Sequence, residues 1–322
     1  FDFDPKDSKE LEVKVALSGV STEGALKNLK AEALGSNFDQ LAQAARGRWE
    51  KAMSSIDAQG NDDQLAMLYT SLYHTMINPC IYTDVDGKYR GIDQNIHQAE
   101  GFTNYTVFSV WDTYRALHPL FNIINRRVNT DIAQSMLKHC EQSVHHALPV
   151  WSHMANENWC MIGYHSVSVL ADAIAKGLPI DKEAALKAMV SSSTVPYYDG
   201  TKEYMERGYV PLERNASAAS LTLEYAYDDW TIYQTAKRAG NKSIEQAYQE
   251  RANNYTHVFD PAIGYARPRM NDGSFKKDFS LLSTHGEGFI EGNALNYSFY
   301  VPHDVNGLIQ AMGGERLFVT KL

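Results

Sequence analysis

Four stretches of this 322-residue chain set carboxylates beside aromatic rings at short spacing. "GFIEGNALNYSFYVPHD" (288–304) places Glu291 between Gly288 and Gly292 and follows it with Asn293, Asn296, Tyr297, Phe299 and Tyr300. "FSVWDTYRALHP" (108–119) carries Trp111, Asp112, Arg115 and His118. "PVWSHMANENWCMIGYHS" (149–166) adds Trp151, Glu157, Trp159 and His165, and "LEYAYDDWTIYQ" (223–234) puts Glu224 and Asp228 four residues apart. Acids, amides and rings of this kind suit glycoside chemistry. One carboxyl protonates the leaving oxygen, a second acts as base, and aromatic faces hold the sugar rings.

Each residue also has a plainer reading. Trp111 and Asp112 suit a sugar, whose C–H face would stack while the acid accepts from hydroxyls. They also suit a core Trp beside an acid at a helix N-terminus. Singly, His153 and His165 read as hydrogen-bonded core residues, because their spacing fits no zincin pair. Glu224 and Asp228 would repel at i, i+4 unless something sits between or near them. They would line a pore or form a solvated acidic face. Asp84-x-Asp86-Gly87 has the opening of a calcium loop, but Lys88 stands where an acceptor is needed, so a tight turn between Tyr82 and Tyr89 is expected.

Other chemistries are excluded. No Gly-rich phosphate loop precedes a helix and no GxSxG occurs. Cys80, Cys140 and Cys160 form no CxxC pair and are expected to be buried free thiols. A net charge of −9 without a basic cluster argues against nucleic acid. No run of 18 apolar residues exists, so no membrane span is expected.

The elements that must position these residues are mostly helical. The period is strand-like only at 11–17, "LEVKVAL". Helical periodicity covers 21–34, 38–56, 62–77, 107–124, 130–146, 164–176, 182–191, 217–239, 243–258 and 304–312. Short links alternate with long ones, at 78–106, 147–163, 194–215 and 259–293. That alternation is what a toroid of helical hairpins needs, with the long connectors gathered at one mouth, where long loops build sites. Six hairpins need twelve helices, so about ten suggests an open ring, and both chain ends are expected to be cuts.

"EGFTNYTVFSVWDTYRALHPLF", "WCMIGYHSVSVLADA", "GYVPLE", "LTLEYAYDDW" and "GFIEGNALNYSFYVPHDVNGLI" occur in that order, and together they resemble glycoside hydrolase family 92, the calcium-dependent inverting exo-α-mannosidases. The resemblance runs from about residue 11 to the end. It implies a mainly α fold, an (α/α)6 toroid incomplete at its C-terminus, with residues 1–20 the tail of an N-terminal β-sandwich or linker and 21–322 the truncated catalytic domain. It implies Glu291 as general acid and Asp112 as a mannose ligand; the residue types themselves add Trp111, Glu157 and Trp159 to the expected substrate-binding set. The family's base and its main calcium-site stretch have no counterpart in these 322 residues. The implied substrate is a mannose-containing glycan, the cofactor calcium, the location periplasmic or extracellular. Another (α/α)6 carbohydrate enzyme and a non-catalytic glycan-binding fragment remain as alternatives. Tyr297, Phe299 and Tyr300 are expected to shield Glu291 and raise its pKa, and Gly292 to admit substrate closely.

Overall fold

The computed structural model of the chain describes residues 11–284 and 286–322. The mainly helical architecture expected from the periodicity is present. α1 (Thr22–Glu32), α2 (Phe38–Met53) and α3 (Asp62–Thr75) start where side chains of Ser21, Asn37 and Asn61 accept backbone N–H groups, the last two in full capping boxes. This leading region buries little. α2 has no buried residue, and it meets α3 through an edge-on Trp49–Tyr73 pair.

Residues 11–17 differ from expectation. They form no strand, and Leu11, Val13, Val15 and Leu17 are exposed. Alternation supplies the right faces, but a strand exists only when another backbone takes its N–H and C=O groups, and no described residue does so.

The first long connector is a pair of small ladders. β1 (Cys80–Ile81) pairs with β4 (Tyr105–Thr106), and β2 (Lys88–Arg90) with β3 (Ile96–Gln98), all antiparallel. The Asp84–Gly87 stretch is the expected turn: Gly87 N–H donates to Asp84 O at 2.9 Å, and Asp84 N–H to Lys88 O at 2.8 Å. The Asp84 carboxylate is spent on Ser18 and Asn28, and Arg90 donates to the carbonyls of Gly19 and Val20. These contacts fasten the residues before α1 to the connector.

The helix expected over 107–124 is broken. Phe108–Ser109 forms β5, followed by a four-residue α4 (Val110–Thr113) and then α5 (Leu117–Ile124). β5 pairs with β6 (Trp151–His153), which pairs with β7 (Asn156–Glu157), so the segment that leads into Trp111 shares a sheet with the second long connector. α6 (Arg126–Gln142), α7 (Ser166–Ala175) and α8 (Lys182–Ser192) follow. The third connector holds α9 (Thr201–Arg207), bounded by Gly200 and Gly208 in the left-handed region.

α10 (Ala218–Ala239) is the centre of the molecule. It packs on α7, on α8 and on α11 (Lys242–Arg251). Leu221, Tyr225, Ile232 and Ala236 enter the larger core with α5–α8. Ala219, Leu223 and Ala226 enter a second core with Val258, Phe289, Val301 and Met312. Packed on both sides, α10 keeps Glu224, Asp228 and Asp229 away from water, which is why these acids need internal partners. Past a 3-10 turn at Asn254–Val258 come β8 (Phe259–Asp260), paired with β9 (Tyr265–Ala266), then α12 (Ala294–Tyr297), α13 (Val305–Ala311) and α14 (Glu315–Lys321). The three thiols are free, but only Cys140 is buried; Cys80 is half-buried and Cys160 exposed. No helix among the described residues is long and apolar enough to cross a membrane.

Candidate active site

Glu224 and Asp228 lie one turn apart on α10, and both are fully buried. A buried pair of carboxylates is costly unless a cation or a retained proton relieves it, and His165 stands between them. Its Nε2 is 2.7 Å from Glu224 Oε2 and its Nδ1 2.8 Å from Asp228 Oδ1. Burial opposes the charged ring, but the carboxylates on its two nitrogens outweigh that and push its pKa up to about 9. The imidazolium therefore donates at both ends. Tyr114 stacks on it, with centroids 4.1 Å apart and planes 13° from parallel. The chain reaches this position through Gly163, at φ +82°, where a Cβ would collide with the His165 ring. The solvated acidic face considered for Glu224 and Asp228 is thus not what α10 presents.

The neighbouring Asp229 has its own cation. Its oxygens accept from Tyr164 Oη at 2.9 Å, Tyr204 Oη at 2.9 Å and Arg251 Nε at 2.8 Å. Tyr164 ties the two systems together, because its backbone N–H donates to Asp228 Oδ2 at 2.9 Å.

The other oxygen of Glu224 faces the loops. Glu224 Oε1 accepts from Trp111 Nε1 at 3.2 Å and from Tyr297 Oη at 3.0 Å. Trp111 belongs to α4, next to Asp112; Tyr297 ends the short helix that follows Glu291. One buried oxygen therefore joins the Trp–Asp loop to the Glu–Gly–Asn loop. Arg115 lies over Trp111, 4.7 Å from its ring centroid, and also over Tyr114 and Tyr300. Tyr114 and Tyr300 share a hydroxyl–hydroxyl hydrogen bond. A cleft of about 400 Å³ opens beside these rings, bounded by Tyr114, Arg115, Tyr227, Trp230 and Tyr300.

Asp112 is exposed beside half-buried Trp111. It sits in the first turn of a helix only four residues long, too short to carry much dipole, which weakens the helix-terminus reading. Arg115 covers one face of Trp111, leaving at most the other for a ligand.

Glu291 is also exposed, in the left-handed region at φ 45°. Its loop is fastened to the start of α10. Gly288 O accepts from the N–H groups of Ala219 and Ser220, Gly288 N–H donates to Ala216 O, and Ile290 N–H donates to Ser220 Oγ at 3.2 Å. Gly288 is obligatory there: at φ +100° a Cβ would collide with Pro268. The expected shielding of Glu291 is not found, because the rings are committed elsewhere. Tyr297 reaches Glu224, Tyr300 reaches Tyr114, and Phe299 packs on Phe318. What the missing Cβ of Gly292 accommodates is Asn296 and Tyr297.

Glu157 faces its own backbone. Its oxygens accept from the N–H groups of Val150, Trp151 and Trp159 at 2.9, 2.9 and 3.0 Å. Burial raises its pKa and those N–H groups oppose the rise. A carboxylate so occupied braces a loop rather than receiving a hydroxyl. That loop adjoins Trp111, since Val150 O accepts from Val110 N–H at 3.3 Å. Trp159 packs on Tyr198 and His145, 5.1 and 5.5 Å between centroids. The sequence reading passed over Tyr114, Tyr204 and Arg251; the signal for the first was available, three residues beyond Trp111.

No group of three or more His, Cys, Asp or Glu side chains among the described residues is arranged to hold a metal ion. Calcium takes six to eight oxygens, and the buried carboxylates Glu224, Asp228 and Asp229 already face His165, Arg115 and Arg251. The described residues do not fit a calcium cage.

The model of the glycosyl hydrolase family 92 catalytic domain matches residues 24–322. A family 92 α-mannosidase from Bacteroides thetaiotaomicron superposes with a TM-score of 0.91 at 44% identity, over 94% of this chain and 41% of that one. The family 92 inverting mannosidase from strain VPI-5482 of that species gives 0.87 at 31%, over 94% and 42%. An uncharacterized secreted glycosidase of Arthroderma benhamiae is 22% identical over 96% of this chain and 41% of its own length. This chain belongs to glycosyl hydrolase family 92. It spans about 41% of the length of the relatives it matches.

Proposed function

We propose that the protein carrying this chain hydrolyses terminal α-mannosidic linkages of glycans with inversion, and that this chain supplies the acid side of the site. The observation that carries the reading is the meeting of the Trp111–Asp112 loop and the Glu291 loop on one oxygen of Glu224, in a chain of a family whose relatives include α-mannosidases, one solved with mannoimidazole. Glu291 protonates the departing glycosidic oxygen. Asp112 accepts from sugar hydroxyls, and the uncovered face of Trp111 meets the ring. The base stands about 6.5–9.5 Å from the acid, leaving room for one water. Secretion to the periplasm or beyond belongs to the same reading.

The test is the anomer released. Fresh product from an α-mannoside, followed by proton NMR before mutarotation, is expected to be β-mannose; α-mannose would overturn inversion. The exposure of Glu291 favours one other reading, a glycan-binding domain without turnover, and mannoside binding with no product at all would establish that instead. Calcium enters from the family likeness. Dialysis of the complete protein against a chelator is expected to abolish turnover and added calcium to restore it; indifference to both would remove the cofactor.

A further inference from the structure

We propose that Glu224 is a positioning residue for this reaction: clamped by His165 and Asp228, it holds the acid-bearing loop and the sugar-binding loop at one fixed separation. The inference rests on the functional reading above, and it concerns a residue buried too deeply to touch substrate.

Three observations carry it. First, the two tethers end on the same atom, Glu224 Oε1, at 3.2 Å from Trp111 Nε1 and 3.0 Å from Tyr297 Oη. Neither loop can shift without moving or losing a bond to the other's anchor. Second, the carboxylate that carries Oε1 is itself held. Its partner Oε2 is held by His165, whose far nitrogen is held by Asp228, and both acids stand on the buried α10. Third, the acid loop is fastened to α10 at two levels, at Ala219 and Ser220 through Gly288 O and Ile290 N–H and one turn later at Glu224 through Tyr297. Glu291 is exposed and has no side-chain partner among the described residues, so its placement comes wholly from its backbone and from that second anchor. Misplacing a reacting group by about 1 Å can cost on the order of 100-fold in rate.

The experiment uses the complete protein and two substrates. One is an α-mannosyl disaccharide that the wild type cleaves, whose leaving alkoxide needs a proton. The other is a dinitrophenyl α-mannoside, whose phenolate leaves without one. Tyr297→Phe cuts only the acid-side tether. It is expected to lower kcat on the disaccharide about 10-fold, with KM within about twofold, and to leave the aryl substrate within about threefold of wild type. Glu224→Ala cuts both tethers and should lower kcat/KM on both substrates by about 100-fold, whereas Glu224→Gln, which keeps an acceptor, should recover to within about 10-fold of wild type. Should Glu224→Ala fail to fold, Tyr297→Phe decides alone. An unchanged ratio of disaccharide to aryl rates in Tyr297→Phe overturns the positioning role. Glu291→Gln is run beside it: leaving-group selectivity there but not in Tyr297→Phe sinks the positioning role only, and its absence in Glu291→Gln takes down the acid assignment as well.

Discussion

Glu291→Gln is expected to lower kcat on an unactivated mannoside by at least about 100-fold, the usual scale for removing a general acid, while mannosides still bind. The substitution keeps the volume and the polarity of the side chain but removes the only proton it can give up. Its structural cost is small. The side chain is exposed, and the loop is held by backbone bonds from Gly288 and Ile290 to Ala216, Ala219 and Ser220, none of which involves the carboxyl. A change at such a position usually stays within about 0.5 kcal/mol of wild-type stability, so lost turnover is not confused with lost fold. The left-handed backbone at position 291 is kept too, since Gln tolerates it no worse than Glu. Steady-state kinetics on a disaccharide, with binding of an uncleaved mannoside by calorimetry as control, checks the prediction. Turnover near the wild-type rate would refute the role given to Glu291.

That experiment bears on a residue whose type and setting were legible in the sequence and whose surroundings were not. Local pattern reached the helices with polar caps and regular apolar spacing, such as those begun by Asn37 and Asn61. It failed wherever a distant backbone decides the outcome. Phe108 and Ser109 have helical neighbours but pair with Ser152 and Trp151, more than forty residues away, and so leave the helix. The alternating residues 11–17 look like a strand but meet no partner among the described residues. The seven residues of α9 are too few to show a period and are legible only as Gly200 and Gly208. At the site, the repulsion between Glu224 and Asp228 posed the right question, and nothing local could name His165, 59 and 63 residues earlier, as its answer. The rings after Glu291 misled for the same reason: their apolar character is visible, but Tyr297 and Tyr300 turn their hydroxyls to Glu224 and Tyr114.

Arg251→Met is expected to destabilise the fold by about 3–5 kcal/mol, the usual cost of leaving a buried charge uncompensated. Arg251 donates to Asp229 Oδ2 at 2.8 Å, reaches Ser193 O at 3.2 Å and Tyr164 Oη at 3.3 Å, and lies over Tyr248, 4.7 Å from its centroid. Methionine fills much of the stem's volume, so packing loss is the smaller part of the change. The larger part falls on Asp229, which has no exposed surface and would keep two tyrosine hydroxyls but no cation. Removing that charge relieves the damage. The double variant Arg251→Met/Asp229→Asn should recover at least about half of the single variant's loss, a coupling that independent sites do not show. Urea unfolding of wild type, both single variants and the double variant measures it. A loss below about 1 kcal/mol for Arg251→Met, or additive effects in the double variant, would mean that water or another cation already compensates Asp229. The consequence reaches the site through Tyr164. Its hydroxyl donates to Asp229 and its backbone N–H to Asp228, so an Arg251 variant that still folds should also loosen the clamp on His165 and, through Glu224, widen the spread of Glu291 positions. Its kcat on the disaccharide should therefore fall more than its rate on the aryl mannoside.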